Sequence, residues 1–296
     1  MQKFKTVVDS KHKFLDLKLK ETFSYRDLIF LFVKRDFVTR YKQTILGPLW
    51  AIIQPLFSTF INFLIFGFIA GLGFKDIATA RDIPQYLFLM AGSVCWGYIS
   101  STITSTSNTF LANASIMGKV YYPRLVSPIA TMFSNLINLG IQMLIFIVAA
   151  IIFALQGNNS IAFTPYMLLL PVTIIQMMIF GLGTGLFFSS FTTKYRDLTH
   201  VIGFGISLLG YLSPVSYGLV DLSSRIPYQW IKDIYLVNPV SNIVLTFKQS
   251  LFGEGYFNLG VSSWLWYALS WGITFIMLFL GIMLFNKTER NFMDTI

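Results

Sequence analysis

The sequence runs to 296 residues, of which 55% are hydrophobic and 12% charged, with a formal net charge of +9. Soluble domains carry about 25% charged residues; the deficit excludes a mostly wet surface, because an uncompensated charge in hydrocarbon costs several kcal/mol. The lone cysteine, Cys95, excludes an intramolecular disulfide and reads as a packing residue. His12 and His200 stand far apart, with no Cys/His/Asp/Glu group at ligand spacing, so no metal site is expected.

The first 42 residues hold eleven Lys/Arg and five Asp/Glu. They lack the early apolar core of a cleavable signal peptide, so the first span is expected to act as the insertion signal. Within this stretch Ser24–Tyr41 predicts a helix, with Ser24 and Asp27 as a start signal. Phe30, Val33, Phe37 and Tyr41 share one face, and Arg35, Thr39 and Lys42 lie roughly opposite. Such a basic amphipathic helix lies in the membrane interface. It reads either as a surface anchor or as a docking surface for a cytosolic partner.

Charge-free stretches then mark the spans, each needing about 20 apolar residues. Span one falls near Leu49–Gly71 and span two near Pro84–Ser107. The uncharged run from Leu125 to Thr193 is too long for one helix, and Gln156-Gly-Asn-Asn-Ser160 breaks it. Span three is therefore placed near Pro128–Leu155 and span four near Pro165–Phe191. Span five is predicted at Leu198–Val220 and span six at Trp264–Phe285. The expectation is an all-α polytopic protein with six transmembrane helices. One membrane domain fills residues 1–296, divided into a tail and interface helix (1–47), a six-span region (48–286) and a closing tail (287–296).

Six spans put both termini on one side. With that side inside, inner segments carry 17 Lys/Arg and outer segments 5, the latter being Lys75, Arg81, Arg225, Lys232 and Lys248. Basic residues favour the cytoplasmic side, so topology accounts for the positive charge without nucleic acid. The segment Asn108–Arg124 is longer than a tight helical connection needs. Its Lys119 and Arg124 can snorkel to headgroups, with Tyr121 and Tyr122 as interfacial anchors. Asp221–Gln249 is too charged to span and too apolar for a free loop. Ile226, Trp230, Ile234 and Val237 recur there at helical spacing, which fits one or two short re-entrant helices at a pore mouth or a packed outer cap.

No Gly-x-x-x-x-Gly-Lys-Ser/Thr loop occurs, so this chain is not expected to bind ATP. Gly181-Leu-Gly-Thr-Gly185 lies in an apolar run without lysine and reads as close helix packing. The spans carry no Asp, Glu, Lys or Arg at mid-depth, which disfavours an ion-driven carrier. Asp197 beside Arg196 reads as an ion pair at a span end, so no catalytic residue is expected.

Several motifs together carry a family resemblance. Arg40-Tyr-Lys-Gln-Thr-Ile-Leu-Gly-Pro-Leu-Trp-Ala-Ile-Ile-Gln-Pro55 closely resembles the start of the first span of the ABC-2-type polysaccharide exporters, the membrane (permease) subunits that export O-antigen of lipopolysaccharide and related lipid-linked polymers. Asn113-Ala-Ser-Ile-Met-Gly-Lys-Val-Tyr-Tyr-Pro-Arg-Leu125 resembles that family's loop after span two. Lys194-Tyr-Arg-Asp197 resembles its loop after span four, and Ser213-Pro-Val-Ser-Tyr217 with Asn238-Pro239 its outer-gate segment. Gly218-Leu-Val-Asp-Leu-Ser-Ser-Arg225 departs from the aliphatic or proline-rich stretch of such exporters.

The resemblance implies a non-enzymatic homodimer in the cytoplasmic (inner) membrane, both termini cytoplasmic, bound to two copies of a separate nucleotide-binding subunit. ATP and Mg would be bound by that partner and no cofactor by this chain. A lipid-linked polysaccharide would pass between the two membrane subunits. Arg35, Arg40, Asn113, Lys119, Tyr121, Tyr122 and Arg124 are the implied contacts with the ATPase, and Ile226, Trp230 and Ile234 the implied outer gate. Aromatic faces stack on sugar rings and leave hydroxyls hydrated, which nominates Tyr86, Trp96, Tyr98, Tyr211 and Tyr217 as channel aromatics. Teichoic acid or a small molecule is the alternative cargo; a passive channel and a membrane-bound transferase are the rival functions.

Overall fold

The computed structural model describes residues 19–69, 84–120, 122–156, 164–217, 229–253 and 261–291, and every regular element among them is helical. A short helix α1 (Leu19–Ser24) turns at Tyr25 into α2 (Arg26–Tyr41). The expected Ser24 start signal does not open α2, whose N-cap is Tyr25, without a side-chain cap bond. A 3-10 turn at Gly47–Leu49 leads into α3 (Trp50–Asn62), which winds into a π turn at Phe63–Ile69. Then come α4 (Gln85–Ser107), α5 (Thr109–Met117), α6 (Val126–Leu155) and α7 (Leu169–Thr192), the last preceded by a 3-10 turn at Pro165–Leu168. Helices α8 (Leu198–Tyr211), α9 (Gln229–Val237), α10 (Pro239–Phe252) and α11 (Val261–Asn291) complete the chain.

Among the described residues, five helical segments are long and apolar enough to cross a membrane: Gly47–Phe66, Gln85–Ser107, Val126–Leu155, Pro165–Thr192 and Ser263–Thr288. They sit where charge-free stretches put spans one to four and six. The fifth expected span differs. Helix α8 stops at Tyr211 after 14 residues, about 21 Å at 1.5 Å per residue, against a hydrocarbon core of about 30 Å. Pro214 has no N–H to continue the helix, and the Ser213 hydroxyl donates to the Leu209 carbonyl at 2.7 Å. The chain turns through Leu212–Val215 instead.

Helix α7 is the central staff, packed against α4 on one side and α11 on the other. A Cβ at Gly183 would lie 2.6 Å from the Leu278 backbone, and one at Gly281 would meet the Gly183 carbonyl. Only glycine permits this approach, so the glycine run does serve helix packing. The main core gathers α4, α6, α7 and α10 around Leu87, Val94, Ile99, Met177, Ile243 and Phe247.

Helix α10 is buried from Val240 to Phe252, an unbroken run. Asn238 starts it by accepting from the Val240 amide at 3.0 Å, Pro239 occupies the first turn, and Gly253 ends it with φ +80°. Lys248, counted among the basic residues of the outer segments, is on this helix and only 4% exposed. Its ammonium is satisfied inside the fold, by the backbone carbonyls of Pro214 and Val215.

Helix α2 lies on α6. Its buried residues are Ile29 and Phe32, whereas Phe30 faces outward. The packed stripe is thus rotated from the expected Phe30–Tyr41 face. Its partners decide this: Ile29 and Phe32 share a second core with Phe110, Met117, Tyr122, Leu186 and Phe285.

Candidate functional site

A groove of about 660 Å³ runs along the bundle between α3 and α8, with α4 and α6 behind it. Its lining comes from helical periodicity. On α4, Ser93, Gly97, Ser100, Ser101, Thr104 and Ser105 recur on one face. Helix α6 adds Asn135, Asn138 and Gln142; α3 adds Trp50, Gln54 and Ser58; α8 adds Gly203 and Ser207. Ser100 and Ser101 donate to the carbonyls of Gly97 and Tyr98 at 3.3 and 3.1 Å. Such hydroxyls tolerate a dry neighbour yet still accept hydrogen bonds from a solute. Among the described residues no Asp, Glu or Lys lines this groove, and Arg40 at the α2 end is the one cation in their lining. A wall of hydroxyls and amides, with a fixed charge only at its α2 end, accommodates a polar solute.

The α2 end is stitched to the groove. Arg40 donates through Nη2 to Asn135 Oδ1 at 3.1 Å, and Tyr41 through its hydroxyl to Asn138 Oδ1 at 3.0 Å. Asn135 in turn donates to Thr102 at 3.4 Å. One turn back, Arg35 donates to Asn113 Oδ1 at 3.1 Å and to Asp36 at 2.8 Å, while stacking 4.5 Å from the Phe32 ring. Tyr122 meets Phe32 edge-on at 5.5 Å and shares a 3.0 Å hydrogen bond with Ser127. Burial pushes its phenol pKa up, against the opposing pull of that bond and of Arg35 and Arg124.

The structure therefore brings Arg35, Asn113 and Tyr122 together beneath α2, and sends Arg40 to the groove. Lys119 is exposed past the end of α5, Arg124 is half-buried, and Tyr121 lies outside the described residues. Among the nominated aromatics, Trp96 and Tyr98 border the groove. The Trp96 indole lies against the Gly210 backbone, where a Cβ would come within 2.8 Å. Tyr98 is buried and directs its hydroxyl to the Met132 carbonyl at 3.5 Å. Tyr86 is outside this lining, its hydroxyl 3.4 Å from the Leu56 carbonyl. Tyr211 is 75% exposed, and Tyr217 donates to its carbonyl at 2.9 Å. On α9, Trp230 and Ile234 are exposed while Tyr235 is buried; Ile226 lies outside the described residues.

Sequence reasoning missed most of the polar lining, and Trp50, 47% exposed at the groove. The signal was present. Ser93, Gly97, Ser100/Ser101 and Thr104/Ser105 follow a helical period inside an uncharged span; only the absence of charge was weighed there.

The helical membrane bundle with a polar groove has a family counterpart. Residues 27–252 match the family described as ABC-2 type transporter, and the chain belongs to that family. Among curated proteins it is similar to the O-antigen export system permease protein RfbA of Klebsiella pneumoniae, 30% identical over 287 residues, which covers 95% of this chain and 99% of the relative. A protein of the same name from Myxococcus xanthus is 23% identical over 80% of this chain and 84% of its own length. The polysialic acid transport protein KpsM of Escherichia coli is 27% identical over 86% of this chain and 91% of its own.

Proposed function

We propose that this chain is the membrane subunit of an ATP-driven exporter that moves a lipid-linked, O-antigen-like polysaccharide across the cytoplasmic membrane. It works as a homodimer with two separate nucleotide-binding subunits, which carry ATP and Mg. The single observation behind this reading is the polar groove between α3 and α8. A wall of Ser, Thr, Asn and Gln at membrane depth is poorly matched to lipid. A second copy facing it would enclose a wet conduit wide enough for a sugar chain. Weak, uncharged contacts let a polymer of many repeats slide, and Trp50 and Trp96 offer faces for sugar rings. The names of the relatives, for O-antigen and polysialic acid, support a polysaccharide cargo.

In this reading the chain crosses six times, with the short helix α8 as the fifth crossing and both termini cytoplasmic, consistent with the basic bias. Helix α2 and residues 109–125 face the ATPase. Helices α9 and α10 sit at the outer mouth. The test places single cysteines at Gln54 and Ser207 in a Cys95→Ala background and reconstitutes the full complex. Water-soluble maleimides are expected to reach both positions, and lipid-phase reagents neither. Labelling only from lipid would show that the groove is a lipid-facing crevice and overturn the conduit.

A further inference from the structure

The groove between α3 and α8 has a hydrogen-bonding polarity as well as a shape. A serine hydroxyl has one proton to give and two lone pairs with which to receive. On α4, Ser100 and Ser101 give that proton to the Gly97 and Tyr98 carbonyls of their own helix, at 3.3 and 3.1 Å. On α8, Ser207 gives its proton to the Gly203 carbonyl at 3.0 Å. What these three leave for the groove they line is lone pairs. Asn135 is spent on both atoms: its Oδ1 receives from Arg40 at 3.1 Å and its Nδ2 gives to Thr102 at 3.4 Å. The amides of Gln54 and Gln142 offer donor and acceptor alike and favour neither.

Charge points the same way. Among the described residues Arg40 is the one cation in the lining, and it stands at the α2 end, bonded to Asn135. A sugar hydroxyl entering the groove can donate into the lone pairs that the serines present. A carboxylate can only accept, so it meets lone pairs with lone pairs. To leave water it also needs a cation or charge-assisted donors in exchange. A second copy placed symmetrically across the groove adds the same wall, and with it no new kind of counter-charge.

We propose that the groove selects an uncharged sugar chain and rejects one that carries a carboxylate on every ring. This rests on the reading of the groove as a polymer conduit, and it narrows the cargo of that conduit. Ser100, Ser101 and Ser207 set the preference through the direction of their hydroxyl bonds, and the uncharged wall beyond Arg40 enforces it. Discrimination by repulsion of the wrong cargo does not require tight binding of the right one.

Saturation-transfer NMR on the full-length protein in phosphatidylcholine nanodiscs, at moderate salt, tests this. The probes are maltoheptaose, which is neutral, and heptagalacturonic acid, which has one carboxylate per ring. Groove binding is the part of each signal that is lost in Ser207→Trp, a change that fills the groove. Maltoheptaose is expected to bind there at least about tenfold more tightly than heptagalacturonic acid, given the penalty on an unpaired ion. Ser100→Lys and Thr104→Lys each place a cation in the lining. Each is expected to raise groove binding of heptagalacturonic acid severalfold, a gain that damage to the fold does not produce. Groove binding of both sugars with equal affinity in the wild-type protein overturns the selectivity and leaves the conduit standing. A preference that both lysine variants leave unchanged also overturns it, because charge is then not what discriminates. Loss of neither signal in Ser207→Trp overturns the conduit, and the selectivity with it.

Discussion

Lys248 of α10 donates its ammonium to the Pro214 carbonyl at 2.6 Å and to the Val215 carbonyl at 3.0 Å, across the break that ends α8. The same nitrogen stands 3.8 Å from the centre of the Phe88 ring on α4. Close by, a Cβ at Gly92 would run into the Val215 carbonyl. Asn238 adds a 3.0 Å bond to the Ser213 hydroxyl. The turn after α8 is thus pinned from α10 and seated on α4, and a buried cation holds it without a carboxylate partner among the described residues.

Lys248→Met keeps the length of the side chain and removes the donor, leaving two buried carbonyls short of a partner. Each such loss costs about 1–3 kcal/mol. The variant is expected to unfold at a clearly lower temperature than wild type in detergent, and reconstituted complexes should leak small polar solutes. An unchanged unfolding midpoint would show that the pin adds nothing to stability.

The contact between α7 and α11 depends on Gly183. Gly183→Val should abolish a monodisperse peak in fluorescence-detected size exclusion, because its Cβ alone would press on the Leu278 backbone; overpacking of this kind costs about 1–3 kcal/mol or more. Gly140→Ala is the control. Nothing lies within 4 Å of its Cβ position, so that variant should be at least as stable as wild type.

Lys119→Glu probes the proposed docking of the ATPase. The residue is exposed, and altering surface charge changes stability by only ~0–1 kcal/mol. Like-charge or lost-pair effects across an interface are larger. The expected phenotype is a folded protein whose partner co-purifies poorly or whose export falls severalfold. Wild-type export would leave this loop as a membrane anchor.

Topology is open to a direct measurement. In a Cys95→Ala background, a cysteine at Gly157 should react with impermeant reagent only from outside the cell, and one at Lys194 only from the cytoplasm. The reverse pattern would turn the chain over in the membrane and move α2 away from any cytosolic partner.

Much of this architecture was legible along the chain. Transfer of a charge into hydrocarbon is costly wherever it occurs, so gaps between charges mark spans without reference to any neighbour. That local rule placed Gln85–Ser107, Val126–Leu155 and Pro165–Thr192 within a few residues of their observed bounds. The glycine run from Gly181 to Gly185 was equally readable, since glycine inside an apolar span has few uses other than close approach.

Tertiary structure alone decided the rest. Whether Lys248 is wet or buried depends on the carbonyls of Pro214 and Val215, which reach it from a different segment. Which face of α2 turns inward depends on Tyr122 and Phe110, which come from the chain beyond α4. The polar stripe of α4 becomes a groove only where α3, α6 and α8 stand around it. Hydrophobic length is a property of consecutive residues, and hence of the sequence. The pairing of faces is a property of helices far apart in the chain, and it is settled only when they pack.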